Sequence, residues 1–185
     1  MTTLHEFKVV VAGPFASGKT TLINVISDIP VVGTEVPTTG DEALVKATTT
    51  VGMEYSTYAT GDDEVEIVLH LYGVPGQRRF DFMWDIVGDG LDGLIVIVDA
   101  GDPSTWSEAV DVGRHFVLRH DPPTVVAVNR ASSAPDALAR VRGAVPIRGA
   151  CYVPCEVTDE QSAREVLIEL LLLLLERMPE DEIAV

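Results

Sequence analysis

A glycine-rich stretch followed by a lysine and two threonines constrains this chain most. Residues 13–21 read Gly-Pro-Phe-Ala-Ser-Gly-Lys-Thr-Thr and fit the pattern G-x-x-x-x-G-K-S/T. An apolar run of strand-forming residues, 7–12, precedes the stretch, and residues 20–26 begin an apolar pattern with helical spacing. Because the pattern needs a strand, a tight turn and a helix in this order, the sequence predicts a phosphate-binding loop here.

The residue types in this loop have distinct chemical roles. Glycines let the backbone turn so that successive N–H groups point toward phosphate oxygens, and the following helix adds its positive dipole end. The lysine reaches the β- and γ-phosphates, and the first threonine hydroxyl is placed to bind Mg²⁺. The predicted phosphate-binding set is Gly13, Ala16, Ser17, Gly18, Lys19, Thr20 and Thr21.

Length and charge limit the other possibilities. A chain of 185 residues suits one domain, here expected as a core over about 7–178 with a disordered tail at 179–185. Thirteen basic against 29 acidic residues give a net charge of −16, which argues against nucleic acid or an anionic membrane as main partner. The start of the chain resembles no signal peptide and no lipidation motif is present, so we expect a cytoplasmic protein that reaches a membrane only through a partner. Cys151 and Cys155 are expected to be buried small hydrophobic residues.

The order of elements predicts an α/β fold. Apolar strands are expected at 7–12, 65–72, 94–99, 124–129 and 152–154, and one further strand at 48–60 pairs with 65–72 through a hairpin. Helices are expected at 20–26, 79–87, 102–119, 133–142 and 159–178, the last behind a capping box of Thr158 and Gln161. This alternation indicates a mainly parallel six-stranded sheet with one antiparallel edge strand and helices on both faces. Residues 31–46 form a long loop, which in compact domains is usually functional.

Two further segments repeat known nucleotide-binding signatures. Residues 50–55, Thr-Val-Gly-Met-Glu-Tyr, are similar to T-I-G-x-D/E-F/Y, and residues 73–77, Gly-Val-Pro-Gly-Gln, are similar to D-x-A-G-Q. With the phosphate loop they resemble the Ras-like small GTPases, a P-loop NTPase family, and within it the bacterial MglA and conservon-operon subgroup. The resemblance covers almost the whole chain.

The resemblance implies roles for residues in both segments. Thr50 would sense Mg²⁺ and the γ-phosphate, with Thr48 and Thr49 as alternatives one or two residues away. Gly76 would give a backbone N–H to the γ-phosphate, and Gln77 would orient the attacking water. The aspartate that steadies Mg²⁺ in the family is replaced here by Gly73, which puts metal affinity in doubt. The implied catalytic set is therefore Gln77, Lys19 and Thr50, and the implied metal ligands are Thr20 and Thr50.

The base-reading signature N-K-x-D is altered. Residues 129–132 read Asn-Arg-Ala-Ser, so Asn129 is in place and the Arg130 stem would cover the ring. Ser132 replaces the aspartate that pairs with guanine, so weaker selectivity for guanine is expected. The last signature, S-A-K, corresponds to Cys155, Glu156 and Val157, whose base contact would be a backbone N–H.

The resemblance implies a GTP- and GDP-binding molecular switch in bacterial signalling that uses Mg²⁺ and hydrolyses GTP slowly. In the resemblance, two switch segments, 31–50 and 73–88, respond to the γ-phosphate. Lys46 is the only basic residue between Lys19 and Arg78, so the first switch segment brings no arginine to speed hydrolysis. The implied partners are a roadblock-type regulatory protein and a sensor-kinase-like protein. The alternative is a catalytically inactive GTPase fold that serves as a protein-interaction module, and Gly73 and Ser132 are the residues that favour it.

Overall fold

A computed structural model describes residues 2–33, 35–37, 48–50, 53–76, 80–134 and 136–179, with the backbone alone at 35–37, 48–50 and 133. Within these ranges the main sheet has six strands. They are β1 (Thr3–Ala12), β4 (Glu54–Gly61), β5 (Val65–Gly73), β6 (Gly93–Asp99), β7 (Thr124–Asn129) and β8 (Cys151–Cys155), in the spatial order β4-β5-β1-β6-β7-β8. Only the β4–β5 pair is antiparallel. The predicted α/β class and the antiparallel edge strand are confirmed.

Five α-helices flank the sheet in the described part of the chain. They are α1 (Lys19–Ile26), α2 (Phe82–Gly88), α3 (Trp106–His120), α4 (Ala137–Ala144) and α5 (Glu160–Leu175). Short 3₁₀ turns at Pro103–Thr105 and Ala131–Ser133 precede α3 and α4. Both helices therefore begin later than predicted, since the polar residues ahead of them form these tighter turns instead.

The central strands are buried on both faces, which explains their continuous apolar sequences. In β1, Val9 and Val11 pack with α1 and α5 on one face, while Val10 and Ala12 pack with α2, α3 and α4 on the other. The strands β6 and β7 alternate in the same way, and every residue of both strands is buried. This two-sided core fixes the carboxyl ends of β1, β6 and β7 next to one another, where parallel sheets hold their ligands.

The region predicted as a single strand at 48–60 is divided. Its first part is β3 (Thr48–Thr50), which pairs antiparallel with β2 (Glu35–Pro37) in a separate two-stranded sheet. Its second part is β4, the edge of the main sheet. The segment 31–46 was predicted to be without regular structure, and β2 corrects that prediction. Residues 38–47 lie outside the described residues.

The last helix differs from the prediction at its start. Asp159, not Thr158, is the N-cap, and its side chain accepts a hydrogen bond from the Ser162 N–H at 2.8 Å. The capping box of Thr158 and Gln161 is therefore wrong by one residue, because an aspartate one position later offers the stronger acceptor. Of the leucine run, Leu170, Leu171 and Leu174 enter the core, whereas Leu172 is half exposed.

No helix in the described part of the chain is both long and apolar enough to cross a membrane. The tail predicted at 179–185 lies outside the described residues except for Pro179.

Candidate functional site

The phosphate loop connects β1 to α1 and has the backbone shape that its sequence predicts. Gly13, Ala16 and Gly18 have φ angles of 145°, 59° and 112°. A Cβ atom at Gly13 would lie 2.4 Å from the Ile97 carbonyl oxygen, and one at Gly18 would lie 2.8 Å from Asn129 Nδ2. Both positions require glycine, because the loop turns in a left-handed conformation against β6 and β7. The loop thus holds the N-terminus of α1 open toward solvent.

Lys19 is folded over this loop. Its Nζ donates to the carbonyl oxygens of Gly13 at 3.0 Å and Pro14 at 2.7 Å, and the residue is only 8% exposed. A buried ammonium group beside a glycine-rich loop and a helix N-terminus is a strong site for a polyanion. This arrangement supports phosphate binding by the predicted loop.

Thr20, the first threonine after the lysine, contacts a side chain that the sequence analysis did not assign. Its Oγ1 donates to Glu54 Oε1 at 2.6 Å, and Glu54 is only 4% exposed. Glu54 stands directly opposite Gly73 in the β4–β5 register. The hydroxyl and carboxylate oxygens that meet here are the hard oxygen donors that Mg²⁺ prefers.

The donor set fits Mg²⁺ bound together with phosphates rather than Mg²⁺ held by protein alone. Among the described residues, no group of three or more histidine, cysteine, aspartate or glutamate side chains converges on one point. Mg²⁺ usually binds through one or two protein oxygens plus substrate phosphates and water. Thr20 is placed for that role, and Glu54 lies beside it.

The loop after β5 lies against the phosphate loop. A Cβ atom at Gly76 would be 2.6 Å from Lys19 Nζ and 2.7 Å from the Phe15 backbone nitrogen. Gly76 therefore lies beside the lysine and the backbone of the phosphate loop, and its predicted contact with the γ-phosphate stays a prediction. Gln77 lies outside the described residues, and of Thr50 only the backbone is described, in β3. Their predicted roles stay predictions.

A cleft of about 410 Å³ runs along the carboxyl ends of the strands, a size suited to a small ligand. It brings together Ala16, Gly18, Lys19, Thr20, Thr21, Gly76 and Arg130 from the predicted set. It also contains residues that the sequence analysis missed: Phe15, Glu54, Asp99, Asp102 and Thr105. Asp99 ends a buried strand next to the phosphate loop, which is the signal that could have identified it.

Asn129 connects the phosphate loop to the two strand ends beside it. It is 2% exposed, and its Nδ2 donates to the Ser17 carbonyl oxygen at 3.0 Å. Its Oδ1 accepts hydrogen bonds from the Val157 and Arg130 backbone N–H groups at 3.2 and 2.9 Å. The Arg130 guanidinium binds the Asp99 carboxylate at the rim of the cleft. The predicted base-reading residues are thus grouped around Asn129.

Next to this group, Ser132 and Glu156 form a pair. The Ser132 hydroxyl donates to Glu156 Oε1 at 2.5 Å, so a carboxylate lies beside the serine that replaces the family aspartate. The backbone N–H of Glu156, one of the three residues in the predicted base-contact signature, donates to Ser162 Oγ at 3.0 Å. Neighbouring Cys155 is 3% exposed, and burial raises its pKa to about 12, so its thiol is a core group. Cys151 is only partly buried and contacts Glu169, which corrects the prediction that both cysteines are buried.

Comparison with known proteins gives two distant likenesses, and no family model matches the chain. An uncharacterized protein of Methanocaldococcus jannaschii, MJ1339, is 33% identical over 96 residues, which cover 51% of this chain and 52% of that protein. Intraflagellar transport protein 22 of Chlamydomonas reinhardtii is 23% identical over 112 residues, or 60% of this chain and 54% of that protein. The chain spans about half the length of the curated relatives it matches. The present chain is GTPase-like in its architecture and in its phosphate loop.

Proposed function

We propose that this chain is a guanine-nucleotide switch that binds GTP and GDP with Mg²⁺ and hydrolyses GTP slowly. The observation that carries the proposal is the phosphate loop, with the buried Lys19 ammonium hydrogen-bonded across it. A loop of inward N–H groups, a helix N-terminus and a lysine together provide a binding site for a di- or triphosphate. The cleft that continues from this loop toward Asp99 and Arg130 has room for the rest of a nucleotide.

Guanine is the base that the site favours. Guanine presents two N–H donors on one edge, and a carboxylate that accepts both gives strong discrimination against adenine. Ser132 cannot supply that carboxylate, but it holds the Glu156 carboxylate at 2.5 Å. We propose that Glu156 accepts from the base, and that Asn129 and Arg130 support it.

Hydrolysis would follow the usual course for such a site. Lys19 would bind the β- and γ-phosphates, Thr20 and Thr50 would hold Mg²⁺, and Gln77 would orient a water molecule. Mg²⁺ would neutralise charge on the phosphate oxygens. Attack of the water at the γ-phosphorus breaks the bond to the bridging oxygen and yields GDP and phosphate. The segments around Val31–Thr50 and Gly73–Gly88 would be ordered by the γ-phosphate and released after its loss.

We further propose a signalling role with a roadblock-type regulator and a sensor-kinase-like protein. Phe82 and Ile86 support a partner at the second switch segment, because both are large apolar side chains of α2 that are 61% and 68% exposed. Neighbouring exposed apolar side chains of this kind mark interaction sites more often than isolated ones. A partner bound here would contact the segment that follows Gln77.

Calorimetry with GDP tests nucleotide binding. Lys19→Ala should abolish measurable GDP affinity, since the phosphates lose their buried counter-charge. Arg164→Ala is the matched control, because Arg164 lies on α5 and its side chain is half exposed beside Glu160. Mass spectrometry of the nucleotide released from the purified protein identifies the base. Wild-type affinity in Lys19→Ala would remove the phosphate-loop assignment.

Single-turnover phosphate release separates the switch from the inactive interaction module. Slow release of phosphate from bound GTP supports a switch. GTP that stays intact, alone and with the partner present, supports the interaction module, for which Gly73 in place of the aspartate is the motivating observation.

A further inference from the structure

The expected Mg²⁺ site lacks one carboxylate at Gly73, yet a carboxylate occupies that space. A Cβ atom built on Gly73 would lie 2.7 Å from Glu54 Oε2 and 3.1 Å from Glu54 Cβ. Glu54 and any side chain at position 73 therefore exclude each other. The register pairs the two residues directly across the β4–β5 hairpin. The long side chain of Glu54 on β4 thus fills the space that a side chain at position 73 of β5 would occupy.

Glu54 also makes the contact that a metal-site carboxylate would need. Its Oε1 accepts from Thr20 Oγ1 at 2.6 Å, and Thr20 is the expected Mg²⁺ ligand of the phosphate loop. The two side chains line the same cleft as Lys19 and Gly76. Carboxylates next to a ligand fix its orientation and change the affinity of the metal, even where they do not touch it.

The charge of Glu54 gives a second reason to expect a metal ion beside it. Glu54 is 4% exposed and lines the same cleft as the phosphate loop, so bound phosphates would bring their negative charge close to its carboxylate. A divalent cation between the carboxylate and the phosphates turns that repulsion into attraction. The same glutamate should therefore weaken nucleotide binding without Mg²⁺ and strengthen it with Mg²⁺.

We propose that Glu54 supplies the carboxylate of the Mg²⁺ site in place of the aspartate absent at Gly73, acting from β4 rather than from β5. This inference rests on the proposed nucleotide-binding function. In this proposal the Mg²⁺ site keeps a carboxylate, which comes from position 54 instead of position 73. Gly73 then no longer argues for a catalytically inactive GTPase fold.

The test measures release of a fluorescent GDP analogue from the full chain at a series of Mg²⁺ concentrations and with excess chelator. Glu54→Gln keeps an acceptor for Thr20 but removes the charge. Glu66→Gln removes a charge from an exposed position of β5 and is the matched control. The swap Glu54→Gly with Gly73→Asp returns the carboxylate to β5. It removes both Glu54 atoms next to the new Cβ, and the flexible end of Ile23, whose Cδ1 is 2.7 Å from that Cβ, must move.

In the wild type and in Glu66→Gln, Mg²⁺ should slow GDP release. In Glu54→Gln the Mg²⁺ concentration for half of that effect should rise about 10–100-fold, the usual loss when a supporting metal-site group is removed. With chelator, Glu54→Gln should release GDP no faster than the wild type, since a repulsive charge has gone. The swap should recover part of the Mg²⁺ dependence.

Several results would overturn the inference. One is an unchanged Mg²⁺ dependence in Glu54→Gln, and another is a wild type that binds GDP with no response to Mg²⁺. If Glu54→Gln fails to fold in a thermal melt without ligand, the swap decides, and a folded swap without Mg²⁺ dependence contradicts the proposal. A wild type that binds no GDP at any Mg²⁺ concentration instead refutes the proposed function itself.

Discussion

At the scale of single residues, we expect Ser132 and Glu156 together to take the base-reading role that the aspartate of the N-K-x-D signature has alone. The serine hydroxyl donates to the glutamate carboxylate at 2.5 Å, which orients the carboxylate and leaves its other oxygen to accept further hydrogen bonds. A serine alone at position 132 would predict poor rejection of adenine. Because the Glu156 carboxylate lies beside it, we expect the selectivity for guanine to be kept.

Glu156→Ala tests this pair. The variant should lose roughly 1–3 kcal/mol of preference for GDP over ADP, the usual cost of leaving two base donors unpaired. Inosine diphosphate lacks the exocyclic amino group of guanine, so the variant should also bind GDP and inosine diphosphate with more similar affinity. Competition against fluorescent GDP gives all three affinities, and Glu165→Ala, on the exposed face of α5, serves as control. A preference that Glu156→Ala leaves intact would assign base reading to another group.

The sequence predicted those members of the candidate site that local motifs carry and missed those that tertiary contacts bring to it. Lys19 and Asn129 were found because their motifs fix them relative to a strand end. The carboxylate of Glu54 meets Thr20 across 34 positions, and that of Glu156 meets Ser132 across 24. No local pattern contains either pair. Thr20 lies on α1 and Glu54 on β4, and Ser132 lies in the turn before α4 while Glu156 follows β8, so tertiary packing makes both contacts.

At the scale of secondary structure, the start of α5 shows how one residue sets a helix boundary. Asp159 Oδ1 accepts from the Ser162 backbone N–H, and Asp159 itself has the extended backbone of an N-cap, with φ of −98° and ψ of 121°. Its negative charge also suits the positive end of the helix dipole.

Asp159→Ala should therefore lower the free energy of unfolding by about 1 kcal/mol, the typical value of an N-cap. Thr158→Ala is the matched control and should cost little, although the sequence pattern predicted Thr158 as the cap. Chemical denaturation of both variants measures the difference. Equal losses in the two variants, or a larger loss in Thr158→Ala, would restore the predicted capping box.

The buried strands were predictable and the small β2–β3 sheet was not. Continuous apolar runs such as 94–99 and 124–129 have few alternatives to a sheet covered on both faces. The threonines of β3 favour a strand equally well in either of two pairings, so their sequence does not reveal that they pair with Glu35–Pro37 instead of extending β4. The choice is made by tertiary pairing rather than by propensity.

At the scale of the whole molecule, the described residues place little positive charge near the position that a terminal phosphate would take. Within the part of the chain that the structure describes, the cations that line the cleft are Lys19 and Arg130. Lys19 belongs to the phosphate loop, and the Arg130 guanidinium binds Asp99 at the base-reading end. Arg78 and Arg79 follow Gln77 in the sequence and lie outside the described residues. The net charge of −16 adds nothing that would stabilise a phosphate transition state.

The rate of hydrolysis follows from this distribution of charge. Water positioning without an added cation gives slow hydrolysis, and a supplied arginine typically adds about 10³–10⁵ in rate. We therefore expect the isolated chain to hydrolyse GTP at a rate on the order of 10⁻³ s⁻¹ or below, and a roadblock-type partner to accelerate it. Gln77→Leu should lower the rate further and leave GTP affinity almost unchanged, because the amide acts on the water and not on the bound phosphates.

Single-turnover phosphate release measures both forms, with and without the partner. Asn24→Leu is a suitable control, since it also replaces an amide by an apolar side chain but lies on α1, where its Nδ2 donates to the Thr20 carbonyl oxygen. The partner should accelerate the wild type and the control but not Gln77→Leu.

Rapid turnover by the wild type without a partner would mean that a cation reaches the γ-phosphate from the residues after Gly76. Arg78 and Arg79 would then be the first residues to replace. A Gln77→Leu variant as active as its parent would show instead that another group orients the water.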